Sequence, residues 1–108
     1  PQKQALGMIL TGRRVTADEG EQLGFVNEVT KPEELLTAAR RWADQILECS
    51  PMSIRASKQS VHQGLTKPRL EDAMRTVYPA VQSLYDSSDF IEGPLAFSEK
   101  RAPKWRAE

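Results

Sequence analysis

The chain has 108 residues, of which 39% are hydrophobic and 28% are charged, as in a soluble globular protein rather than a disordered or membranous one. Fifteen basic and fifteen acidic residues give a formal net charge of zero, which argues against a general nucleic-acid binder and a polybasic membrane-surface protein. One cysteine and one histidine exclude an internal disulfide and the usual zinc ligand sets. We therefore predict no metal site, and a cytoplasmic location, which a lone cysteine fits.

The N-terminal part of the chain predicts two helices and one short strand. Residues 2–10 are typical of the last turns of a helix that ends at Gly12. Thr16-Ala-Asp-Glu19 forms a capping box and opens a short helix that stops at Gly24. Phe and Val dominate residues 25–29, which predicts a strand. A lone strand cannot make a sheet, so this segment needs a partner strand outside the chain, or it is not a strand.

The middle of the chain predicts two more helices. Thr30-Lys-Pro-Glu33 is a second capping box, and the helix that it opens runs to about Cys49 with one apolar stripe. Ser50-Pro51 caps and starts the next helix, which Gly64 ends.

The C-terminal part predicts two helices and an irregular tail. One helix runs from about Pro68 to Tyr85 and should kink near Pro79. Ser87, Ser88 and Asp89 cap a last helix through about Glu99, with a bend at Gly93-Pro94, and residues 101–108 look irregular. The chain is therefore predicted to be mainly α, with about five helices plus one short strand at 25–29.

Few residues of the sequence suggest chemistry. His62 lies off the apolar line of its helix and is interpreted as a surface residue, and Cys49 ends a helix, where the dipole disfavours a thiolate. Phe97 and Lys100 are three residues apart and would share a helical face. An aromatic ring beside an ammonium suits a nucleotide, because the base packs on the ring and a phosphate takes the charge. The alternative is a core Phe97 with a solvated Lys100 beyond it.

Six short motifs occur in a distinctive order, and together they resemble the C-terminal part of the crotonase (enoyl-CoA hydratase/isomerase) superfamily. Residues 92–105, with Tyr78-Pro79 before them, are most similar to the carnitinyl-CoA dehydratase (crotonobetainyl-CoA hydratase) branch. The motifs are Ile9-Leu-Thr-Gly-Arg13, Thr16-Ala-Asp-Glu, Leu23-Gly-Phe-Val-Asn-Glu-Val29, Ser50-Pro51, Arg55-Ala-Ser-Lys58 and Glu92-Gly-Pro-Leu-Ala-Phe-Ser-Glu-Lys-Arg101.

The resemblance implies an α/β parent fold, in which ββα turns form a spiral that a helical region closes. That helical region packs into trimers, often paired as hexamers. Residues 1–30 would be the end of the spiral core, and residues 31–108 the C-terminal helical oligomerisation region. We therefore expect the chain to be a piece of a longer protein, with the neighbours of the strand at 25–29 upstream.

The resemblance also implies an activity for the parent protein: a lyase or isomerase of fatty acid or carnitine metabolism that hydrates or dehydrates an enoyl-CoA thioester through a stabilised enolate. The backbone N–H groups that hold the thioester oxygen and the acids that move the proton precede the matched segment. We therefore expect no catalytic residue here, and the 108-residue chain alone should be inactive.

For binding, the resemblance implies that Phe97 and Lys100 match the family's C-terminal aromatic residue and lysine. Those residues contact the adenine and 3′-phosphate end of coenzyme A bound mainly to a neighbouring subunit. No cofactor is expected to be bound permanently, since the coenzyme A thioester is the substrate. The expected partners are copies of the chain in a trimer or hexamer, with no nucleic acid and no membrane.

A different class of function stays open from the residues alone: a non-enzymatic helical module for protein interaction. The apolar stripes at 35–47 and 70–84 supply more apolar surface than so short a chain can cover. Under the crotonase hypothesis this predicts self-association that buries parts of these stripes.

Overall fold

The computed structural model describes residues 2–108, and within them the chain forms seven α-helices, one 3₁₀ turn and no β-strand. The mainly helical class predicted from the sequence is confirmed. The helices are α1 (Gln2–Thr11), α2 (Ala17–Leu23), α3 (Leu35–Leu47), α4 (Pro51–Gly64), α5 (Leu70–Arg75), α6 (Pro79–Tyr85) and α7 (Ser88–Ser98), and the 3₁₀ turn is Pro32–Glu34. None of these helices is long and apolar enough to cross a bilayer.

The ends of the first two helices follow the predicted signals. Gly12 and Gly24 adopt φ values of 64° and 84° after α1 and α2, a left-handed conformation that glycine takes without a Cβ clash. The Thr16 hydroxyl accepts a hydrogen bond of 3.2 Å from the Glu19 N–H at the start of α2. The first capping box therefore satisfies a backbone donor that the helix itself leaves open.

Residues 25–29 do not form the predicted strand. The N–H groups of Phe25 and Val26 both donate to the Gly20 carbonyl, at 3.1 and 3.2 Å. A Cβ on Gly20 would stand 2.8 Å from the Val26 side chain, so the segment folds back closely over α2. Without a neighbouring strand among the described residues, these local bonds replace the pairing that a strand needs.

The second predicted capping box is also wrong. Lys31, not Thr30, occupies the N-cap position before Pro32–Glu34, and it makes no side-chain cap. Because Pro32 disfavours the helical conformation of the preceding residue, Lys31 stays extended at φ −66° and ψ 151°. The chain therefore enters α3 through a 3₁₀ turn.

The chain divides into two compact units, one up to Arg40 and one from Arg41 to Glu108. In the second unit, α4 packs against α5 and α6, and α6 against α7. Its buried apolar side chains are those of Ala56, Tyr78 and Ala96. The predicted functional boundary between residues 30 and 31 stays a prediction.

Pro79 breaks the predicted helix at 68–85 instead of kinking it. Thr76 and Tyr78 are extended, with ψ of 127° at both, and Pro79 is the first residue of a separate helix, α6. Proline is favoured at a helix start, because its missing N–H would have no partner there. The Gln59 side chain of α4 then accepts a 2.7 Å hydrogen bond from the Ala80 N–H. By contrast, α7 runs continuously through Gly93-Pro94.

Candidate functional site

Phe97 and Lys100 lie at the C-terminal end of α7. Phe97 is in the last turn of the helix and is 87% exposed, so it is not a core residue within this chain. Lys100 follows the end of α7 at Ser98, in a left-handed conformation with φ 53°. The expectation that the two share one helical face is therefore wrong, because the helix stops between them. Their assignment to a ligand site stays a prediction.

The chain reverses at Lys100 in a Schellman motif. The Lys100 N–H donates to the Phe97 carbonyl at 3.2 Å, and the Arg101 N–H donates to the Ala96 carbonyl at 3.1 Å. Glycine is the usual residue at this position, and a side chain there costs about 1 kcal/mol or more. Lysine holds the position in this chain, so the surrounding contacts must stabilise its conformation.

The carboxylate of Glu92, in the middle of α7, supplies such contacts. It accepts hydrogen bonds from both terminal nitrogens of Arg101, at 2.6 and 2.9 Å, and from the Lys104 N–H at 2.6 Å. The Arg101 hydrogen bonds, joined by that from Lys104, lower the pKa of Glu92 to about 2. The Arg101 Nε also donates to Glu99 at 2.5 Å, and the two carboxylates raise the pKa of the Arg101 guanidinium.

The result is an unequal pair of neighbouring cations. Two carboxylates neutralise Arg101, whereas the Lys100 side chain is exposed and forms no ion pair with any residue of 2–108. Lys100 is therefore a cation at this helix end that an anion can reach without first displacing a carboxylate.

Asp89, in the first turn of α7, holds the end of the tail. Its buried carboxylate accepts hydrogen bonds from the Ser50 hydroxyl at 2.7 Å and from the N–H groups of Arg106 and Ala107 at 2.8 and 3.3 Å. Burial raises the pKa of Asp89, but these hydrogen bonds outweigh burial, and the pKa lies below its ordinary value. Asp89 thus ties together α4, α7 and the tail. Ser87 precedes α7 as predicted, but its side chain does not cap the helix, because the hydroxyl donates to the Leu84 carbonyl at 2.6 Å.

The tail, residues 101–108, has no regular secondary structure, as predicted, yet it is held at several points. Besides the bonds to Glu92 and Asp89, the Trp105 indole N–H donates to the Glu48 carbonyl at 2.8 Å. A Cβ on Gly93 would be 3.5 Å from the Trp105 ring, so the indole lies against a helix surface free of side chain. The sequence does not predict these anchors, since glutamate and arginine nine residues apart match no helical spacing.

The other candidate side chains do not form a site. His62 and Cys49 are both exposed, and the Cys49 thiol makes only a 3.8 Å contact to the Gln45 carbonyl of its own helix. Within residues 2–108, no group of three or more His, Cys, Asp and Glu side chains is placed to hold a metal ion.

The same helical arrangement occurs in solved structures of enoyl-CoA hydratases, which have the crotonase fold. The model of the enoyl-CoA hydratase/isomerase family matches residues 1–108. The chain is therefore a member of the enoyl-CoA hydratase/isomerase family, as the order of its motifs predicts.

Individual relatives support this assignment. The chain is 40% identical over 106 residues to a carnitinyl-CoA dehydratase from Salmonella arizonae, covering 92% of this chain and 39% of that protein. It is 36% identical over 103 residues to a carnitinyl-CoA dehydratase from Proteus mirabilis, with the same coverage of 92% and 39%. The structure of an enoyl-CoA hydratase/isomerase from Mycobacterium paratuberculosis matches with a TM-score of 0.89 and 30% identity, over 100% of this chain and 43% of that one. The chain thus spans about two fifths of the length of the relatives that it matches.

Proposed function

We propose that this chain forms oligomer contacts and part of the coenzyme A site of an enzyme that hydrates or dehydrates an enoyl-CoA thioester. The reaction would pass through an enolate, stabilised by backbone N–H groups and served by acids that lie outside these residues. The family match over residues 1–108 supports the class of reaction. The relatives named carnitinyl-CoA dehydratase support a carnitine-like acyl group and a dehydration or its reverse.

The observation that carries the binding proposal is the exposed pair at the end of α7. Phe97 is 87% exposed, although the transfer of a phenyl ring out of water is favourable. Lys100 carries a cation that no carboxylate of residues 2–108 neutralises. We propose that adenine packs on the Phe97 ring and that the 3′-phosphate of coenzyme A pairs with the Lys100 ammonium.

Titration calorimetry with coenzyme A and with 3′-dephospho-coenzyme A tests this proposal. The variant K100G removes the ammonium but suits the left-handed backbone at φ 53°, so the fold should not suffer. We expect wild-type protein to favour coenzyme A by about tenfold, the value of one charge-assisted contact, and K100G to bind both ligands equally. The control K58A removes an exposed lysine of α4. An unchanged preference in K100G would refute the phosphate assignment.

We further propose a homo-oligomer, a trimer or a hexamer. Helix α3 supports the oligomer, because its Leu36 and Leu47 side chains are 69% and 75% exposed although the helix also carries charged residues. Large apolar side chains on a structured helix are commonly covered by another chain. A cytoplasmic location fits the single, exposed Cys49.

We propose that the 108-residue chain has no hydratase activity by itself. His62 and Cys49 are surface residues, and the acidic side chains Glu92 and Asp89 are occupied by structural hydrogen bonds. A spectrophotometric assay of enoyl-CoA hydration on the purified chain tests this statement, and measurable turnover would overturn it. The family match over residues 1–108 favours this proposal over the alternative of a non-enzymatic interaction module.

A further inference from the structure

The conformation of Lys100 needs an explanation within the chain. At φ 53° it occupies the position of the Schellman motif that glycine usually takes. A non-glycine residue stays in this region only when its surroundings hold it there. The two backbone bonds of the motif itself, Lys100 to Phe97 and Arg101 to Ala96, would form equally well with glycine. The lysine must therefore be retained by contacts on either side of it.

Glu92 makes contacts across the reversal. It lies in α7, before Lys100, and it accepts bonds from the Arg101 side chain and the Lys104 N–H, after Lys100. The three donor–acceptor distances are 2.6, 2.9 and 2.6 Å, and the Glu92 side chain is only 17% exposed. A bidentate guanidinium–carboxylate pair fixes direction as well as distance. The chain after Lys100 is thereby held against the helix before it.

Glu92 also pairs with the cation next to Lys100. Both terminal nitrogens of Arg101 point at Glu92, and its Nε points at Glu99. Without Glu92, the guanidinium would keep one exposed partner and would compete with Lys100 for any anion nearby. With Glu92 present, the Arg101 guanidinium is paired, and the neighbouring Lys100 ammonium has no carboxylate partner among residues 2–108.

We infer that Glu92 is a positioning residue for the Lys100 anion site: it holds the left-handed turn that presents the Lys100 ammonium beside Phe97, and it withdraws Arg101 from the ligand. The inference rests on the proposed coenzyme A contact for its ligand, but the turn itself can be observed without any ligand. Glu92 touches neither base nor phosphate in this scheme. It acts through Arg101 and through the backbone at Lys104.

The test uses E92Q, which keeps the shape and one carbonyl acceptor but loses the charge, and E92A, which removes every acceptor. If E92A fails to fold, E92Q carries the test alone. The matched control is E71Q, which removes the charge of an exposed glutamate of α5 that pairs with Arg69 at 3.5 Å. Two quantities are measured on each protein. One is the hydrogen-exchange rate of the Arg101 amide, which bonds to Ala96 at 3.1 Å, and the other is the preference for coenzyme A over 3′-dephospho-coenzyme A.

In E92Q we expect the Arg101 amide to exchange about fivefold faster than in wild type, with amides in the middle of α4 unchanged. The preference for coenzyme A should fall from about tenfold to about twofold, while E71Q retains both wild-type values. A merely structural role would speed exchange throughout the second unit and weaken both ligands equally.

The outcomes separate the two proposals. If wild-type protein prefers coenzyme A and E92Q keeps that preference, the positioning role is wrong and the proposed function stands. If wild-type protein shows no preference for coenzyme A but the Arg101 amide still exchanges faster in E92Q, Glu92 does hold the turn. In that case the phosphate assignment of the proposed function is wrong. If neither quantity changes in E92Q or E92A, the inference is refuted on both counts.

Discussion

Replacing Asp89 by alanine tests whether the buried carboxylate of α7 holds the second unit together. Three donors converge on Asp89: the Ser50 hydroxyl and the N–H groups of Arg106 and Ala107. Asp89 and Ser50 are 3% and 5% exposed, so water reaches neither readily. D89A therefore leaves the Ser50 hydroxyl without its acceptor in a buried place and releases the end of the tail.

The size of the effect follows from these contacts. A hydrogen bond to a charged group contributes about 1.5 to 3 kcal/mol, and a buried donor without a partner costs a similar amount. The Ser50 bond, at 2.7 Å and buried, should contribute most, because the tail N–H groups can turn to water once released. We expect D89A to lower the free energy of unfolding by about 3 kcal/mol, which corresponds to a fall in Tm of roughly 15 °C for a chain of this length.

Urea unfolding followed by circular dichroism measures this difference, and two variants accompany it. D89N keeps one oxygen for the tail and can turn its amide towards the Ser50 oxygen, so it should lose only about 1 kcal/mol. The control D86A removes an exposed carboxylate that contacts the Gln82 amide at 3.1 and 3.2 Å, with an expected loss below about 0.5 kcal/mol. A loss in D89A as small as that in D86A would refute the reasoning.

Three further predictions follow from other contacts. Folding lowers the pKa of Glu92 from 4.5 to about 2. The contribution of Glu92 to stability is therefore complete above pH 4.5 and is lost as the pH falls towards 2. Between pH 6 and about pH 2, the urea midpoint should fall less steeply in E92Q than in wild type. Q59L removes the acceptor of the Ala80 N–H and should lower the free energy of unfolding by about 1 to 2 kcal/mol in the same urea assay. Its control Q63L, on the exposed side of α4, should change that free energy little. L36E places a charge on an apolar residue that is 69% exposed, so sedimentation velocity should show smaller species than for wild type; a wild-type chain that is monomeric at every concentration would contradict the proposed oligomer.

The local signals of the sequence predict the fold well where one residue decides the outcome. Gly12 and Gly24 end their helices with positive φ, and the Ser50 hydroxyl caps α4 by accepting from the Ser53 N–H at 3.2 Å. The predictions fail where two signals compete. At Thr30 a capping box stands beside a proline, and the restriction that Pro32 places on Lys31 prevails. At Pro79 the apolar periodicity continues, but proline cannot donate a helical hydrogen bond, so the helix is interrupted before it.

The candidate site could be predicted only in part. The order of the motifs and the general chemistry of an aromatic residue beside a cation predict Phe97 and Lys100 as site residues. The sequence does not predict the Schellman turn, because lysine and not the usual glycine occupies its left-handed position, Lys100. The roles of Glu92 and Asp89 depend on partners far along the chain, Arg101 and Arg106, and no local spacing predicts those pairs.

The two carboxylates of α7 give the irregular tail a role that its composition does not suggest. Asp89 holds the tail near its end and Glu92 holds it near its beginning, so the first turn and the middle of one helix fix eight residues that have no secondary structure of their own. Glu92 does so through a guanidinium and a backbone N–H, and the two residues left between helix and tail are Glu99 and Lys100. Fold stability and ligand presentation therefore depend mainly on two separate sets of hydrogen bonds made by one helix, those of Asp89 and those of Glu92. Substitutions at Asp89 should weaken the fold and leave the preference between the two coenzyme A forms intact as long as the protein is folded, whereas substitutions at Glu92 should reduce that preference before the fold is lost.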